Sequence, residues 1–217
     1  MGLPDPSEIG AQWPKVAHTM LGIERLNNIQ ECLEDCIERN VPGDFIEAGV
    51  WRGGACIFAK AILESYDVRD RAVWVADSFQ GVPPPNPYEY PSDRESPLHL
   101  FPQLAVSRSE VERNFVTYGL ADDRVHFLEG WFRDTLATAP INQIAVLRLD
   151  GDLYESTMDT LVALYDQLSP GGYVIVDDFG VIEGCRQAVN EFRGLNGITE
   201  EILTVDACAV YWQRKLA

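Results

Sequence analysis

"DFIEAGVWRGGACIFAKAILESY" (residues 44–66) sets the architecture of the chain. Residues 44–50 read as a short buried strand. Gly49, Gly53 and Gly54 interrupt it, and the apolar residues that follow recur at helical spacing. A strand that runs through a glycine turn into a helix opens a β–α–β unit. The same alternation extends outward from it. "AVWVADSF" (72–79), "RVHFLEGWF" (124–132), "QIAVLRLD" (143–150) and "GYVIVDDF" (172–179) read as four further strands. "SRSEVERNFVTYGL" (107–120, with Ser109 as its cap), "STMDTLVALYDQL" (156–168, stopped by "SPGG") and "GCRQAVNEFRGLNG" (184–197) read as helices. The strands are apolar runs rather than alternating ones, as expected of parallel strands covered on both faces. "TEEILTVD" and "ACAVYWQRK" look like a closing hairpin, which adds an antiparallel strand.

The flanks are of a different kind. Residues 1–14 are Pro-rich and are expected to be mobile. From Thr19 to about Asn40, Leu21, Ile29, Leu33 and Ile37 mark an amphipathic helix or a pair of them. Residues 80–101 hold five prolines before Asp93 and no periodicity. A loop of that length in a compact domain is expected to be a lid or a binding loop. The chain therefore divides into an N-terminal helical and lid segment (1–40) and one α/β domain (41–217) with a lid loop at 80–106. No internal repeat and no second domain is visible.

The 217 residues are 46% hydrophobic, enough for a sizeable core, and carry a formal net charge of -17. That charge repels phosphate backbones and anionic lipid, so neither nucleic acid nor a membrane is an expected partner. Five cysteines (Cys32, Cys36, Cys56, Cys185 and Cys208) in no regular framework point to thiols in a reducing, cytoplasmic setting. No apolar run approaches the ~18 residues of a spanning helix.

In an open α/β sheet, ligands bind beyond the carboxyl ends of the strands. The first strand ends in Glu47 and Gly49, where an acid suits a ligand with an ammonium group. The spacing of Gly49, Gly53 and Gly54 is neither the dinucleotide fingerprint nor a P-loop. The second strand ends in Asp77 and Ser78, positioned to take a ribose hydroxyl pair. Trp131, after the third, could flank a planar base. Strands four and five are expected to be neighbours, and they end in Asp150, Asp152, Asp177 and Asp178. Like charges so close are costly. Arg148 points to the opposite face from Leu147 and Leu149, so a divalent cation is the simplest compensation. All-oxygen ligands favour Mg²⁺, Ca²⁺ or Mn²⁺. Gly151 lets the chain turn, so Asp150 and Asp152 need not do the same job. His126 lies inside a strand, whereas His18 and His99 could each reach the site. Asp150-Gly151-Asp152 also admits two rival readings: a haloacid-dehalogenase-type phosphatase motif, and the metal-binding acids of another sugar-modifying enzyme such as a glycosyltransferase.

Taken together, "AHTMLG", "VPGDFIEAGVWRGGAC", "VWVADSFQGVP", "NFVTYGLADDRVHFLEGWFRDTL", "VLRLDGDLYESTMDTL" and "LSPGGYVIVDDFG" resemble the macrocin O-methyltransferase family, in order and over nearly the whole chain. The resemblance implies a Rossmann-like class I methyltransferase: a mostly parallel seven-stranded sheet with an antiparallel C-terminal hairpin strand. It implies S-adenosylmethionine as methyl donor, a Mg²⁺ requirement, a sugar hydroxyl of a natural product (a macrolide or an aminocoumarin, for example) as acceptor, and a homodimer or homotetramer. Carried over by position, Glu47 and Gly49 would contact the methionine part of the cofactor and Asp77 and Ser78 its ribose. Gly130 and Trp131 would lie near adenine, and Met20 and Asp150 would also touch the cofactor. Asp150, Asp177 and Asp178 match the metal ligands, and Asp152 matches a proposed general base. The "AHTM" segment and the 80–106 loop match mobile lids. Ala48 and Ala139 depart from the usual Thr and Pro of the family.

Overall fold

Seven strands form one sheet in the order β3-β2-β1-β4-β5-β7-β6. The computed structural model describes residues 14–215, so nearly all of the segment expected to be mobile (1–14) lies outside the described residues. β1 (Asp44–Ala48), β2 (Val73–Asp77), β3 (Val125–Glu129), β4 (Ile144–Leu149) and β5 (Leu168–Val176) run parallel. β7 (Val210–Gln213) is antiparallel to β5, and the two-residue β6 (Leu203–Thr204) pairs with β7 as the expected hairpin. The chain builds outward from β1 to β3 and then crosses back to β4. The order therefore reverses between β1 and β4, where ligands bind in such sheets.

The helices are α1 (Ile23–Glu38), α2 (Gly54–Ser65), α3 (Arg108–Thr117), the one-turn α4 (Phe132–Thr135), α5 (Tyr154–Leu164) and α6 (Glu183–Leu195). They cover both faces. Phe45, Val75, Val146 and Ile175 pack under α1, α2 and α3 with Ile29, Leu33, Ile57 and Phe115. Ile46, Leu147, Val174 and Val176 pack under α5 and α6 with Leu161, Leu164, Val189 and Trp212. Neighbours along one strand thus enter different cores, and β4 is buried at every position. Each such Val, Leu or Ile stabilises the fold by about 1.5–3 kcal/mol relative to exposure.

Several expectations need correction. α3 is capped by the Ser107 hydroxyl, which accepts from the Glu110 amide at 3.3 Å, and Ser109 lies inside the helix. Phe132, expected to close a strand, begins α4 instead. "SPGG" does not stop a helix ahead of β5 but lies within it. The β4–β5 register shifts between Ile144 and Val146, and this irregularity absorbs Pro170, Gly171 and Gly172. Residues 80–106 are not structureless: they hold three short 3₁₀ turns, Pro91–Asp93, Leu98–Leu100 and Pro102–Leu104.

Candidate functional site

Four backbone hydrogen bonds extend the parallel ladders one residue past the strand ends. The amides of Gly49, Gly130, Asp150 and Asp177 donate to the carbonyls of Ala76, Asp77, Ala48 and Leu149, each at 2.9 Å. This row places the expected site residues along one rim. Gly49 has φ +91°, and a Cβ there would lie 1.9 Å from the Asp150 carbonyl oxygen. Its bareness serves the close approach of β4 as much as any ligand. Gly54 is likewise covered, by the His18 carbonyl, which accepts its amide hydrogen at 2.9 Å.

The rim opens into a cavity of about 410 Å³. Met20, Glu47, Gly49, Asp77, Ser78, Gly130, Trp131, Asp150, Asp152, Asp177 and Asp178 all line it. Thr19 and Leu21 line it from the N-terminal segment, and Gly81, Val82, Pro83, Leu98 and Leu104 from the long loop. His18 and His99 are not among the lining residues. His18 packs edge-on against Tyr118, and His99 is exposed. His126 stacks on Trp74 within the sheet.

Asp150, Asp177 and Asp178 each offer an oxygen within 4.8 Å of the others. The expectation that Arg148 leaves these acids uncompensated is overturned. Arg148, completely buried, does face away from Leu147 and Leu149, but that face carries Glu47 directly opposite on β1. The Arg148 guanidinium donates to Glu47, to Asp177 and, at 2.8 Å, to Asp150 Oδ2. Arg25 of α1 pairs with Asp177 and, at 3.0 Å, with Asp206. Burial works against both guanidinium charges, and the carboxylates, Asp177 foremost, outweigh it.

Two arginines therefore neutralise part of the cluster, and both Asp177 oxygens accept from them. Asp150 Oδ2 faces Arg148, and Asp178 Oδ2 accepts from the Asp152 amide at 3.1 Å. The second oxygens of Asp150 and Asp178, with the remaining lone pairs of Asp177, fit a hard divalent cation. The excess of negative charge persists. Burial, with Asp177 next, pushes the Asp150 carboxyl up to about 6. Burial, with Asp150 and Asp177, pushes Asp152 up to about 8. Burial and Asp152 hold Asp178 well above the usual carboxylate range.

The turn between the two acids also differs from expectation. The left-handed residue is Asp152 (φ 61°), not Gly151. Gly151 is needed for space instead, because a Cβ there would lie 3.0 Å from Ser156 Cβ and 3.2 Å from the Phe132 ring.

On the side expected to hold the cofactor, Glu47 is 2% exposed. It also accepts from Cys56 Sγ at 2.9 Å, and burial, against Arg148, pushes it up to about 7. Asp77 spends its carboxylate largely on backbone, accepting from Val50 at 2.8 Å and Phe79 at 2.7 Å. It thereby ties the glycine turn to the end of β2. Ser78 donates to the Gly81 carbonyl and accepts from the Gln80 amide.

Sequence reasoning did not identify Arg25, Glu155, Ser156, Asp159, Val181 and Cys208 as lining residues. One signal was present: Arg25 stands at four-residue spacing with Leu21, Ile29 and Leu33, on the buried stripe of α1. Cys32, Cys36, Cys56 and Cys185 are buried, and only Cys208 reaches the cavity. Among the described residues, no helix is long and apolar enough to cross a membrane.

The family model described as Macrocin-O-methyltransferase (TylF) matches residues 4–214. Demethyldecarbamoylnovobiocin O-methyltransferase of Streptomyces niveus is 58% identical over 206 residues, covering 94% of this chain and 79% of the relative. Mycinamicin III 3''-O-methyltransferase of Micromonospora griseorubida is 54% identical over 210 residues, covering 95% and 82%. The solved structure of the O-methyltransferase NovP superposes with a TM-score of 0.95 at 56% identity, covering 97% of this chain and 87% of that one.

Proposed function

Since the chain belongs to the macrocin-O-methyltransferase (TylF) family, and is an O-methyltransferase of the class I fold, we propose that it transfers a methyl group from S-adenosylmethionine to a sugar hydroxyl of a glycosylated small molecule, with Mg²⁺ as the required cation. The observation that carries this reading is the joining, in one cavity, of the Asp150–Asp177–Asp178 cluster with the glycine turn and the ends of β2 and β3. Phosphatase or glycosyltransferase chemistry at Asp150 and Asp152 is not favoured, because the family match spans nearly the whole chain.

The S–CH₃ bond of a sulfonium breaks, an O–CH₃ bond forms, and the hydroxyl proton must leave. A neutral sugar hydroxyl is a poor nucleophile. A divalent cation held by Asp150, Asp177 and Asp178 would supply Lewis-acid polarisation of the acceptor O–H. Asp152, on the adjoining turn and lining the same cavity, is the proposed proton acceptor. Glu47 and Gly49 are assigned to the methionine part of the cofactor, Asp77 and Ser78 to its ribose, and Gly130 and Trp131 to adenine. Thr19, Met20 and the 80–106 loop are assigned to the roof, where they would exclude water and fix the in-line geometry. The acceptor class rests on the relatives, two of which are named for novobiocin-type and mycinamicin substrates. A homodimer or homotetramer is proposed on the resemblance, and light scattering reads it.

The test is a methyl-transfer assay on glycosides of the macrolide and aminocoumarin classes, with and without Mg²⁺. Turnover is expected on at least one, lost on chelation and restored by Mg²⁺. Asp150→Ala is expected to abolish turnover. Undiminished activity of that variant in chelator would remove the metal from the reading, and no binding of S-adenosylhomocysteine would remove the methyltransferase reading itself.

A further inference from the structure

We propose that Asp93, in the loop between β2 and α3, is a positioning residue for methyl transfer: it clamps the turn that carries Asp152. The proposal deepens the reading above and rests on it.

α5 begins at Tyr154, directly after the Asp150–Asp152 turn, and its N-cap residue Leu153 has no side chain able to cap it. The cap comes from 61 positions earlier in the chain. Asp93 Oδ1 accepts from the Tyr154 amide at 2.7 Å, and Asp93 Oδ2 accepts from the Glu155 amide at 3.0 Å. Asp93 is 2% exposed, although its loop neighbours Ser92, Arg94 and Glu95 are exposed. The two amides before it are also held. Asp152 donates to Asp178 Oδ2 at 3.1 Å, and Leu153 donates to the Gly151 carbonyl at 2.7 Å. Four successive N–H groups are thus satisfied, the first by a candidate metal ligand and the last two by Asp93. The left-handed Asp152 lies between these holds, a conformation that persists only where its surroundings enforce it.

The surroundings are shaped for this contact. Gly184, in the first turn of α6, approaches so closely that a Cβ there would lie 2.7 Å from Asp93 Oδ1. The Ser92 hydroxyl donates to Gln187 Oε1 at 2.6 Å, and the Tyr90 ring lies 6.0 Å from that of Tyr154. Further along, the same loop contributes Leu98 and Leu104 to the cavity wall. The segment that roofs the site therefore also fixes the start of α5. Without the carboxylate, two amides lose their partners and the turn is free to relax, which displaces Asp152 from the acceptor.

The test compares Asp93→Ala and Asp93→Asn with the parent chain. Three quantities are read: hydrogen exchange of the Tyr154 and Glu155 amides in the free protein, S-adenosylhomocysteine affinity by calorimetry, and kcat and KM on an acceptor that the parent methylates. For Asp93→Ala, exchange at both amides is expected to accelerate and kcat to fall by about 10-fold or more, on the scale of misplaced catalytic groups. The S-adenosylhomocysteine Kd should change by less than about 3-fold, as expected of a group outside the cofactor contacts. Asp93→Asn retains one acceptor oxygen and should fall between; it carries the test if the alanine variant does not fold. Unchanged exchange at Tyr154 and Glu155 overturns the clamp. Accelerated exchange with unchanged kcat, or a rise in KM alone, overturns the positioning role. A parent chain that neither binds S-adenosylhomocysteine nor turns over fails the methyltransferase reading instead, and overturns the positioning role with it.

Discussion

Arg148 is the residue on which the site balances. It is completely buried and bonded to Glu47, Asp150 and Asp177. A buried ion cluster adds little net stability compared with an apolar core, but removing one partner leaves uncompensated charge. Arg148→Met should therefore destabilise the chain by about 3–5 kcal/mol in urea unfolding; a loss under about 1 kcal/mol would mean that the three carboxylates had simply taken up protons. The role of Arg148 was hidden because side-chain alternation tells which face a residue takes but not what covers that face. Here the covering helix α1 brings a second arginine. Gly49 is the opposite case. Its glycine was legible as a turn, while the reason for it, the Asp150 carbonyl across the β1–β4 gap, belongs to tertiary structure. Both the space and the positive φ oppose a side chain, so Gly49→Ala should cost about 3 kcal/mol or more in thermal or urea unfolding. A variant as stable as the parent would show that β4 can retreat from β1.

Among the elements, α2 is tied to β3 by charge as well as by packing. Lys60, completely buried, donates to Glu64 and, at 2.9 Å, to Asp122 in the turn before β3; Arg124 donates to the same two acids. Burial acts to raise the Asp122 carboxyl, but the bonds from Lys60 and Arg124 outweigh it and bring it down from 3.8 to about 2. A depressed acid of this kind contributes stability that is complete above its unfolded value and is lost as pH falls through its folded one. Asp122→Asn should thus lower the unfolding temperature at neutral pH, and the gap should close between about pH 4 and about pH 2. A gap that persists unchanged at the lower pH would assign the effect to geometry rather than charge. Strands and helices were legible from apolar runs and glycine turns because those signals are local. The start of β5 was not, since Pro170, Gly171 and Gly172 look like a helix stop until β4 supplies the partner for an irregular strand. The cap of α5 was illegible for the same reason: Leu153 gives no capping signal, and Asp93 lies a whole β–α–β unit away.

At the scale of the molecule, the cavity is a junction. Its walls come from the N-terminal segment at Thr19 and Met20, the ends of β1 to β5, the loop at 81–104, and Cys208 beside the closing hairpin. No single element owns the site, so a ligand that fills it holds together parts of the chain far apart in sequence. Such a ligand binds the folded state alone and stabilises it by mass action, about 2.7 kcal/mol at a hundred times its Kd. For a domain of this size, about 2–4 °C of melting temperature accompanies each kcal/mol. S-adenosylhomocysteine at that excess should therefore raise the Tm by about 5–11 °C. Because the contacts span both ends of the chain, protection from hydrogen exchange should appear together at the 14–22 segment, at the 81–104 loop and at the turn of residues 150–153. Protection limited to the β1 and β2 ends would mean that the cofactor binds without its roof, leaving closure to the acceptor; in that event, protection of the loop should appear only when a methylatable glycoside is added as well.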